Sequence, residues 1–302
     1  MSIIKSEGAD SLSTIGTVFR HLRKSKGMTQ KEVATGIFSP QFLSEFERGN
    51  SSISIFNFFS LLDKINVQLT EFEIHSDELT EHTQQHFLSS YGKAYRSRNI
   101  VKLNELIDSQ FKLYWNFKLP RFQHNLMFLK QLINYFSNLP FNQAGANSIY
   151  HYLLNCKEWH YYEVCLFGNS IFFMSLAQVE KLTRMASQKA HKYEKFLLNP
   201  STFAIVMMIV LDYFLEANHL APVASLIKEV DRVLVNKRYF YDKNQLNYLK
   251  GIYRIKMGML EEGKELCQEA IRLMSHFGAI DVANILQTEF DELLLKNQSK
   301  AT

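Results

Sequence analysis

The segment from residue 16 to residue 50 constrains the fold most, because signals that end a helix and signals that begin one alternate along it at short intervals. A glycine stops the first helix, and a threonine followed three residues later by a glutamate forms a capping box that starts the second. A serine before a proline starts a third helix, and a further glycine ends it. These residues are, in order, Gly27, Thr29, Glu32, Ser39, Pro40 and Gly49. The spacing predicts three short helices.

Apolar residues in the same segment recur at helical spacing, so each short helix presents one apolar face to the others. Four of them are predicted to join the second and third helices at a steep angle, and the alanine among them must be small where the helices cross. These joints are Val33, Ala34, Leu43 and Phe46. The segment also carries six basic and three acidic side chains. This excess favours an anionic partner without proving one.

The rest of the chain predicts longer helices, because only five prolines and twelve glycines interrupt 302 residues of largely helical apolar periodicity. Helix pairs start near residues 82, 120, 158, 200 and 240, a period typical of a helical-repeat solenoid. The clearest copy places small residues where tetratricopeptide helices touch, at Gly251, Gly258, Gly263 and Ala270. We expect an all-α chain with a helical bundle over residues 1–74 and a linker over 75–83. A tetratricopeptide-like right-handed repeat domain then extends over 84–296, and its last helix, over 282–295, caps the repeats. Residues 297–302 are expected to form a disordered tail.

Two groups of histidine and cysteine residues lie close together in the sequence. The first has the i, i+4 spacing that two metal ligands on one helix face would use, and the second does not resemble a zinc pattern. His82 and His86 share a helix face, but no glutamate follows the first histidine and no third ligand is evident. The second group, predicted to be core, consists of His151, Cys156, His160 and Cys165. Since no phosphate-binding glycine loop and no nucleophile motif occurs either, we expect no enzyme, no metal and no cofactor.

Bulk properties exclude further classes of protein. A net charge of +4 is too small to identify a nucleic-acid partner when it is spread over 302 residues. No apolar run reaches the roughly 18 residues of a membrane span, and the N-terminus lacks the pattern of a secretion signal. An odd number of cysteines, three, suits a reducing compartment. We expect a cytoplasmic protein with free, buried thiols and no membrane contact.

Residues 20–49 resemble the helix-turn-helix of phage-repressor-like proteins, whose third helix presents its N-terminal side chains to base edges in the major groove of DNA. The resemblance also implies a partly buried ion pair between Arg23 and Glu47. An amide suits adenine, a hydroxyl suits several bases, and a carboxylate suits cytosine. The candidates for base contacts are Ser39, Gln41, Ser44 and Glu45. The candidates for backbone contacts are Lys24, Lys26, Gln30, Arg48 and Asn50.

A wider resemblance, to the Rgg/MutR regulators, extends over essentially the whole chain. It rests on Phe72 and on the runs 38–54, 61–67, 167–170 and 275–278. The resemblance implies a homodimeric, cytoplasmic transcription regulator of the kind found in Gram-positive bacteria. It further implies control by a short imported quorum-sensing peptide, a pheromone that binds the concave face of the repeats.

An extended peptide in a groove needs partners for its backbone amides, and side-chain amides both donate and accept hydrogen bonds. By helix position the candidates, each of which could equally be a capped polar or core aromatic residue, are Lys130, Asn134, Asn169, Asp212, Lys256, Tyr135, Phe172 and Tyr213. Two alternatives stay open from the sequence. The repeat domain could sense a metabolite or a protein partner, or the chain could be a peptide-binding adaptor that does not bind DNA.

Overall fold

The protein is all-α. The computed structural model describes residues 15–75, 84–190 and 200–301, and none of these residues lies in a strand. The chain divides into two compact units, residues 1–122 and 123–302. A helix over residues 15–25 (α1) precedes α2 (Gln30–Ala34), α3 (Pro40–Glu47), α4 (Ile55–Lys64), α5 (Leu69–Ile74), α6 (Gln84–Arg96) and α7 (Ile100–Phe117). There follow α8 (Pro120–Phe136), α9 (Gln143–Asn155), α10 (Tyr161–Ser170), α11 (Leu176–Ala190), α12 (Pro200–Glu216), α13 (Val223–Val233), α14 (Phe240–Lys256), α15 (Leu260–His276) and α16 (Ile280–Ala301), with short 3-10 helices at Ile171–Phe173 and Lys237–Tyr239.

The helix boundaries follow the predicted period, with one difference at the C-terminus. The helices that open the predicted pairs begin at residues 84, 120, 161, 200 and 240. The predicted linker over 75–83 lies outside the described residues apart from His75. α16 contains the predicted capping helix and continues through residues 297–301, which the sequence had assigned to a disordered tail. No glycine or proline follows Leu295, so nothing in the sequence ends the helix there.

Helices α1 to α5 enclose one apolar core. Phe19, Phe46 and Leu61 are almost completely buried within it, and the first two rings lie 6.0 Å apart. Ala34 is also fully buried at the crossing where a small residue was predicted. A Cβ atom built on Gly16 would lie 2.0 Å from the carbonyl oxygen of Phe46, so the backbones of α1 and α3 approach closely at this glycine. The core therefore depends on the lack of a side chain at Gly16 as well as on its buried apolar side chains.

In the last repeat the backbones of α14 and α15 come close at two glycines. A Cβ atom on Gly251 would lie 2.5 Å from the Cys267 sulfur and 2.8 Å from the carbonyl oxygen of Gly263. Ala270 is buried in the same helix pair, as the tetratricopeptide spacing predicted. Gly258 has a different role, because it lies in the turn after α14 with φ 86° and no atom lies within 4 Å of its Cβ position. Glycine is favoured at this position because the backbone is left-handed, and not because two helices come close there.

A buried polar network joins α8, α9 and α10. His124 is 5% exposed, and its Nδ1 lies 2.8 Å from the Tyr162 hydroxyl. The Tyr152 hydroxyl donates to Glu163 at 2.8 Å, and its ring lies 4.4 Å from the His124 ring. Burial lowers the pKa of His124 to about 4, although the negative charge of Glu163 acts in the opposite direction. The imidazole is therefore neutral in the folded protein at neutral pH.

We expect Gly251→Ala to lower the free energy of unfolding by about 1–3 kcal/mol, because the added methyl group overpacks the contact between α14 and α15. Gly92→Ala is the matched control, since the nearest atom to its Cβ position is Arg96 Nη1 at 3.6 Å. In this helix interior the alanine should stabilise by about 0.5–1 kcal/mol. Urea unfolding followed by circular dichroism measures both effects. Equal effects of the two substitutions would contradict the close approach.

We also expect the stability of the protein to fall as the pH is lowered from about 6.5 to about 4. Over this window the unfolded chain binds a proton at residue 124 that the buried His124 imidazole does not accept, so protonation favours unfolding. The full shift corresponds to about 3 kcal/mol. Denaturant unfolding at pH 7 and pH 4.5 should show a smaller pH-dependent loss for His124→Gln than for the wild type. The exposed His151→Gln, as the control, should keep the wild-type pH dependence.

Candidate functional site

The starts of α2 and α3 are fixed by their own side chains. Thr29 Oγ1 accepts a hydrogen bond from the Glu32 N–H at 3.2 Å, and Glu32 Oε2 accepts one from the Thr29 N–H at 2.7 Å. This is the predicted capping box, and the hydrogen bonds from Thr29 lower the pKa of the Glu32 carboxyl. Ser39 Oγ accepts from the Phe42 N–H at 3.2 Å and caps α3. Both helices of the motif therefore begin where the sequence places them.

A buried ion pair ties α1 to the end of α3. Arg23 Nε and Nη2 donate to the two carboxylate oxygens of Glu47 at 2.5 and 2.8 Å, and both side chains are buried. Arg23 Nη1 also donates to the carbonyl oxygen of Met28 at 2.6 Å. The side-chain amide of Gln30 donates to Glu47 Oε2 at 2.8 Å, so this residue supports α3 from the start of α2. Bidentate geometry of this kind fixes orientation as well as distance.

The opposite side of α3 is open. Gln41, Ser44 and Glu45 lie at positions i, i+3 and i+4 of the helix and therefore share one face. Gln41 is exposed and the other two are half-exposed, whereas Leu43 and Phe46 on the other side are buried. The third helix of the motif thus presents polar side chains on a face a little over one turn long.

Glu45 is bound to two of the predicted backbone-contact residues. Its Oε1 pairs with the Arg48 guanidinium, and its Oε2 accepts from Asn50 Nδ2 at 2.9 Å. Arg48 Nε also donates to the Ser44 carbonyl oxygen at 3.2 Å. The sequence assigned separate roles to these residues and missed their association, for which the spacing of three and five residues was the only signal. In the free protein Glu45 orients Arg48 and Asn50 at the end of α3.

Two further predicted contacts, Lys24 and Lys26, are exposed at the end of α1 and in the turn that follows it. Neither side chain takes part in an ion pair among the residues that the structure describes. With Arg48 they supply positive charge close in sequence to α2 and α3, as an anionic partner requires.

In the repeat domain, two of the aromatic candidates belong to one cluster of rings around Phe172. The ring centroid of Phe172 lies 5.7 Å from Tyr135, 5.7 Å from Phe141 and 4.9 Å from Phe173. The ring centroid of Phe128 also belongs to the cluster and lies 6.2 Å from that of Phe172. Tyr135 is 51% exposed, so one edge of the cluster is accessible from solvent. The cluster offers an apolar contact surface next to the polar candidates on α8.

Two of the peptide-contact candidates form hydrogen bonds to backbone carbonyl oxygens of the protein itself. Asn134 Nδ2 donates to the carbonyl oxygen of Pro140 at 3.0 Å and so closes the turn after α8. The Tyr213 hydroxyl donates to the carbonyl oxygen of Met174 at 3.0 Å. These bonds are the alternative that the sequence left open for each residue. Three further polar candidates, on α8, α10 and α14, are exposed or half-buried: Lys130, Asn169 and Lys256.

Asp212 has the most perturbed charge among the candidates. Its side chain is open to solvent on one side, yet the surrounding protein raises its pKa to about 7, and the carboxylates of Glu216 and Glu289 add to the rise. Burial and neighbouring carboxylates also raise the pKa of Glu289. Water therefore solvates the Asp212 carboxylate incompletely. Neither Glu216 nor Glu289 was predicted from the sequence, in which the i+4 spacing between Asp212 and Glu216 was the one available signal.

Metal-binding and thiol chemistry find no support in the described ranges. No group of three or more His, Cys, Asp or Glu side chains there could hold a metal ion, and His82 lies outside those ranges. Cys156, Cys165 and Cys267 are free thiols whose pKa is raised by burial, for Cys267 to about 12. Of the group predicted to be core, Cys165 alone is buried, whereas Cys156 is half-buried and both His151 and His160 are exposed. None of the described helices combines the length and the apolar character of a membrane span.

Comparison with known proteins assigns both parts of the chain. Residues 19–72 match the helix-turn-helix family, and residues 104–288 match the family described as the C-terminal domain of the HTH-type transcriptional regulator Rgg. The uncharacterized HTH-type transcriptional regulator y4dJ of Sinorhizobium fredii (strain NBRC 101917 / NGR234) is 36% identical over 70 residues. That match covers 23% of this chain and 91% of the relative.

Several solved structures share the fold of nearly the whole chain. A protein described as a transcriptional regulator from Listeria monocytogenes EGD-e has a TM-score of 0.83 at 21% identity, covering 95% of this chain and 99% of its own. The SHP pheromone receptor Rgg2 of Streptococcus dysgalactiae has a TM-score of 0.75 at 22% identity, covering 92% and 99%. The PrgX/iCF10 complex has a TM-score of 0.69 at 14% identity, covering 94% and 97%. Because the match to the Rgg C-terminal domain covers more than half of the chain and a helix-turn-helix precedes it, the chain belongs to the Rgg family of HTH-type transcriptional regulators.

Proposed function

We propose that this regulator binds promoter DNA as a homodimer through α3, and that a short signalling peptide held by the repeat domain controls it in the cytoplasm. The observation that carries the DNA part is the two-sided construction of α3. Its rear is fixed by the Arg23–Glu47 ion pair, and its front presents Gln41, Ser44 and Glu45. A rigid helix with a polar, open front is what major-groove reading requires.

Base reading falls to the first turns of α3, since the N-terminal residues of a recognition helix approach the base edges. Gln41 is exposed, and its amide can donate to and accept from adenine at the same time. Ser44 can bond to several bases. Ser39 already accepts a hydrogen bond from its own helix, so its hydroxyl is left with its hydrogen to donate to a base or to a phosphate.

Phosphate binding falls to Lys24, Lys26, Arg48 and Asn50. Before DNA binds, the Glu45 carboxylate holds Arg48 and Asn50 in place. A phosphate that takes over the Arg48 guanidinium replaces one anionic partner by another, so Arg48 keeps a charged acceptor throughout. The role that follows for Glu45 is to position these groups, with a cytosine contact as the alternative use of the same carboxylate. Gln30 contributes indirectly, through Glu47.

Peptide control rests on the repeat domain and on its relatives. Rgg2 of Streptococcus dysgalactiae is named as an SHP pheromone receptor, and PrgX is known in complexes with cCF10 and iCF10. In this chain the ring cluster around Phe172 offers apolar contacts, and Asp212 offers an incompletely solvated carboxylate. A peptide bound there controls DNA binding only if it prefers one arrangement of the dimer over the other.

We expect Gln41→Ala to weaken binding to a duplex selected from random sequence by about tenfold to hundredfold, because a bidentate base contact is lost. Arg48→Ala should weaken binding to selected and scrambled duplexes alike and reduce the salt dependence by about one phosphate contact. Gel-shift titrations at several salt concentrations measure both effects. Gln123→Ala, an exposed glutamine on α8, is the control and should bind as the wild type. Undiminished discrimination between duplexes by the Gln41 variant would contradict the base-reading role.

For the repeat domain, the probes are synthetic peptides whose sequences are translated from short reading frames beside the gene. We expect one of these peptides to give binding heat in isothermal titration. A peptide with the same composition in scrambled order should give none. Tyr135→Ala combined with Phe172→Ala should weaken this binding by about tenfold or more, because apolar contact area is lost. The exposed Ile285→Ala, away from the ring cluster in sequence, should leave it unchanged. If no such peptide binds and none alters a gel shift, peptide control is wrong, whereas the DNA assignment is unaffected.

A further inference from the structure

Two large aromatic side chains on α7 point into solvent. Phe111 is 56% exposed and Trp115 is 67% exposed, whereas the second tryptophan of the chain, Trp159, is buried at 1%. With Lys112 and Asn116 they line an open hollow of about 470 Å³. Exposed tryptophan is unusual on a surface that contacts only water and is typical of the centre of an interface.

Charges flank this aromatic pair on both sides along the helix. Asp108 lies one turn before Phe111, and Lys118 lies at the end of α7, with its ammonium 4.0 Å from the centroid of the Trp115 ring. Neither Asp108 nor Lys118 takes part in an ion pair within the described ranges. The face therefore runs from acidic, through aromatic, to basic along its length.

We propose that this face binds the same face of a second copy of the chain, with the two α7 helices antiparallel about a two-fold axis at the level of Leu113. In this register Phe111 lies opposite the partner's Trp115, and Asp108 lies opposite the partner's Lys118. Each contact occurs twice, as a two-fold axis requires. This inference rests on the proposed homodimer and gives it an interface.

A second copy fits better than an unrelated protein because the face is complementary to itself. Reversing the helix direction brings the acidic end of one α7 over the basic end of the other, and no other component is needed. The aromatic pair then becomes the desolvated centre, and the charged pairs form its rim. A single helix pair is smaller than a complete stable interface of roughly 800 Å² per partner, so we assign α7 the energetic centre of the dimer contact.

The two tryptophans provide the first test in the full-length protein. Iodide should quench Trp115 and not Trp159 when the chain is monomeric, and the quenchable fraction should fall as protein concentration rises through the dimerisation range. Trp115→Phe should remove the quenchable fraction at every concentration. Quenching of Trp115 that stays the same in monomer and dimer would overturn the proposal, because that ring would then be exposed in both.

A charge swap provides the second test, by sedimentation equilibrium. Asp108→Lys and Lys118→Asp should each weaken dimerisation by about threefold to tenfold, since each places like charges opposite one another twice. The double variant should restore the wild-type constant, and Phe111→Ala with Trp115→Ala should weaken it by about a hundredfold. Val235→Ala, another exposed apolar residue, is the control. A double variant no stronger than the weaker single variant, or a constant unchanged in all variants, would overturn the assignment.

Failure of this inference and failure of the proposed function are distinguishable. Neither Asp108 nor Lys118 belongs to the DNA-facing set on α1 to α3, so binding to a duplex that carries a single half-site should be the same in every charge variant. A wild-type chain that stays monomeric would remove both the α7 interface and the proposed homodimer, while single half-site binding would still report on α3. A stable dimer that is indifferent to α7 would remove only the interface.

Discussion

The buried pairing of Arg23 with Glu47 is the interaction on which the orientation of α3 and its exposed face depends. Glu47 ends α3, and its carboxylate accepts two hydrogen bonds from Arg23 and one from Gln30. Taking these charges out of water costs several kcal/mol, which the bidentate geometry and the added amide bond offset. Removing one partner would leave the other charge buried and would cost about 3–5 kcal/mol. The pair therefore contributes orientation more than net stability, and α3 can hold only one direction relative to α1 and α2.

Fixing α3 from behind has a consequence for its front. Side chains there need not stabilise the domain, so Gln41 can remain exposed, and Glu45 can engage Arg48 without bonding to the core. The close backbone approach at Gly16 acts in the same direction, because it leaves no room for α1 to slide along α3. Rigidity behind and freedom in front are what allow base choice to change while the fold stays constant.

Local chemistry explains why so much of the fold was predictable. The capping box of Thr29 and Glu32 acts within a single turn, and the small residues of the last repeat follow a short, regular spacing. The contacts of the peptide-binding candidates were less predictable, because helical position places a residue near a surface without showing what its side chain bonds to. Asn134 illustrates this: it was a ligand candidate, and its amide closes the turn after its own helix. The electrostatic repulsion between Asp212 and Glu289 could not be predicted for another reason, since these residues lie on helices far apart in the sequence.

Glu47 in the helix-turn-helix and Asp212 in the repeat domain have different surroundings. In the helix-turn-helix each buried charge has a partner, so a single arrangement is favoured. In the repeat domain the surrounding protein and two neighbouring carboxylates oppose the ionisation of Asp212 and raise its pKa to about 7. Hydrogen-bond donors or a positive charge brought to this carboxylate would therefore bind it more strongly than they would bind a well-solvated one. Under the proposed peptide control, a ligand at this carboxylate shifts the balance between two arrangements only if the carboxylate is solvated differently in each of them.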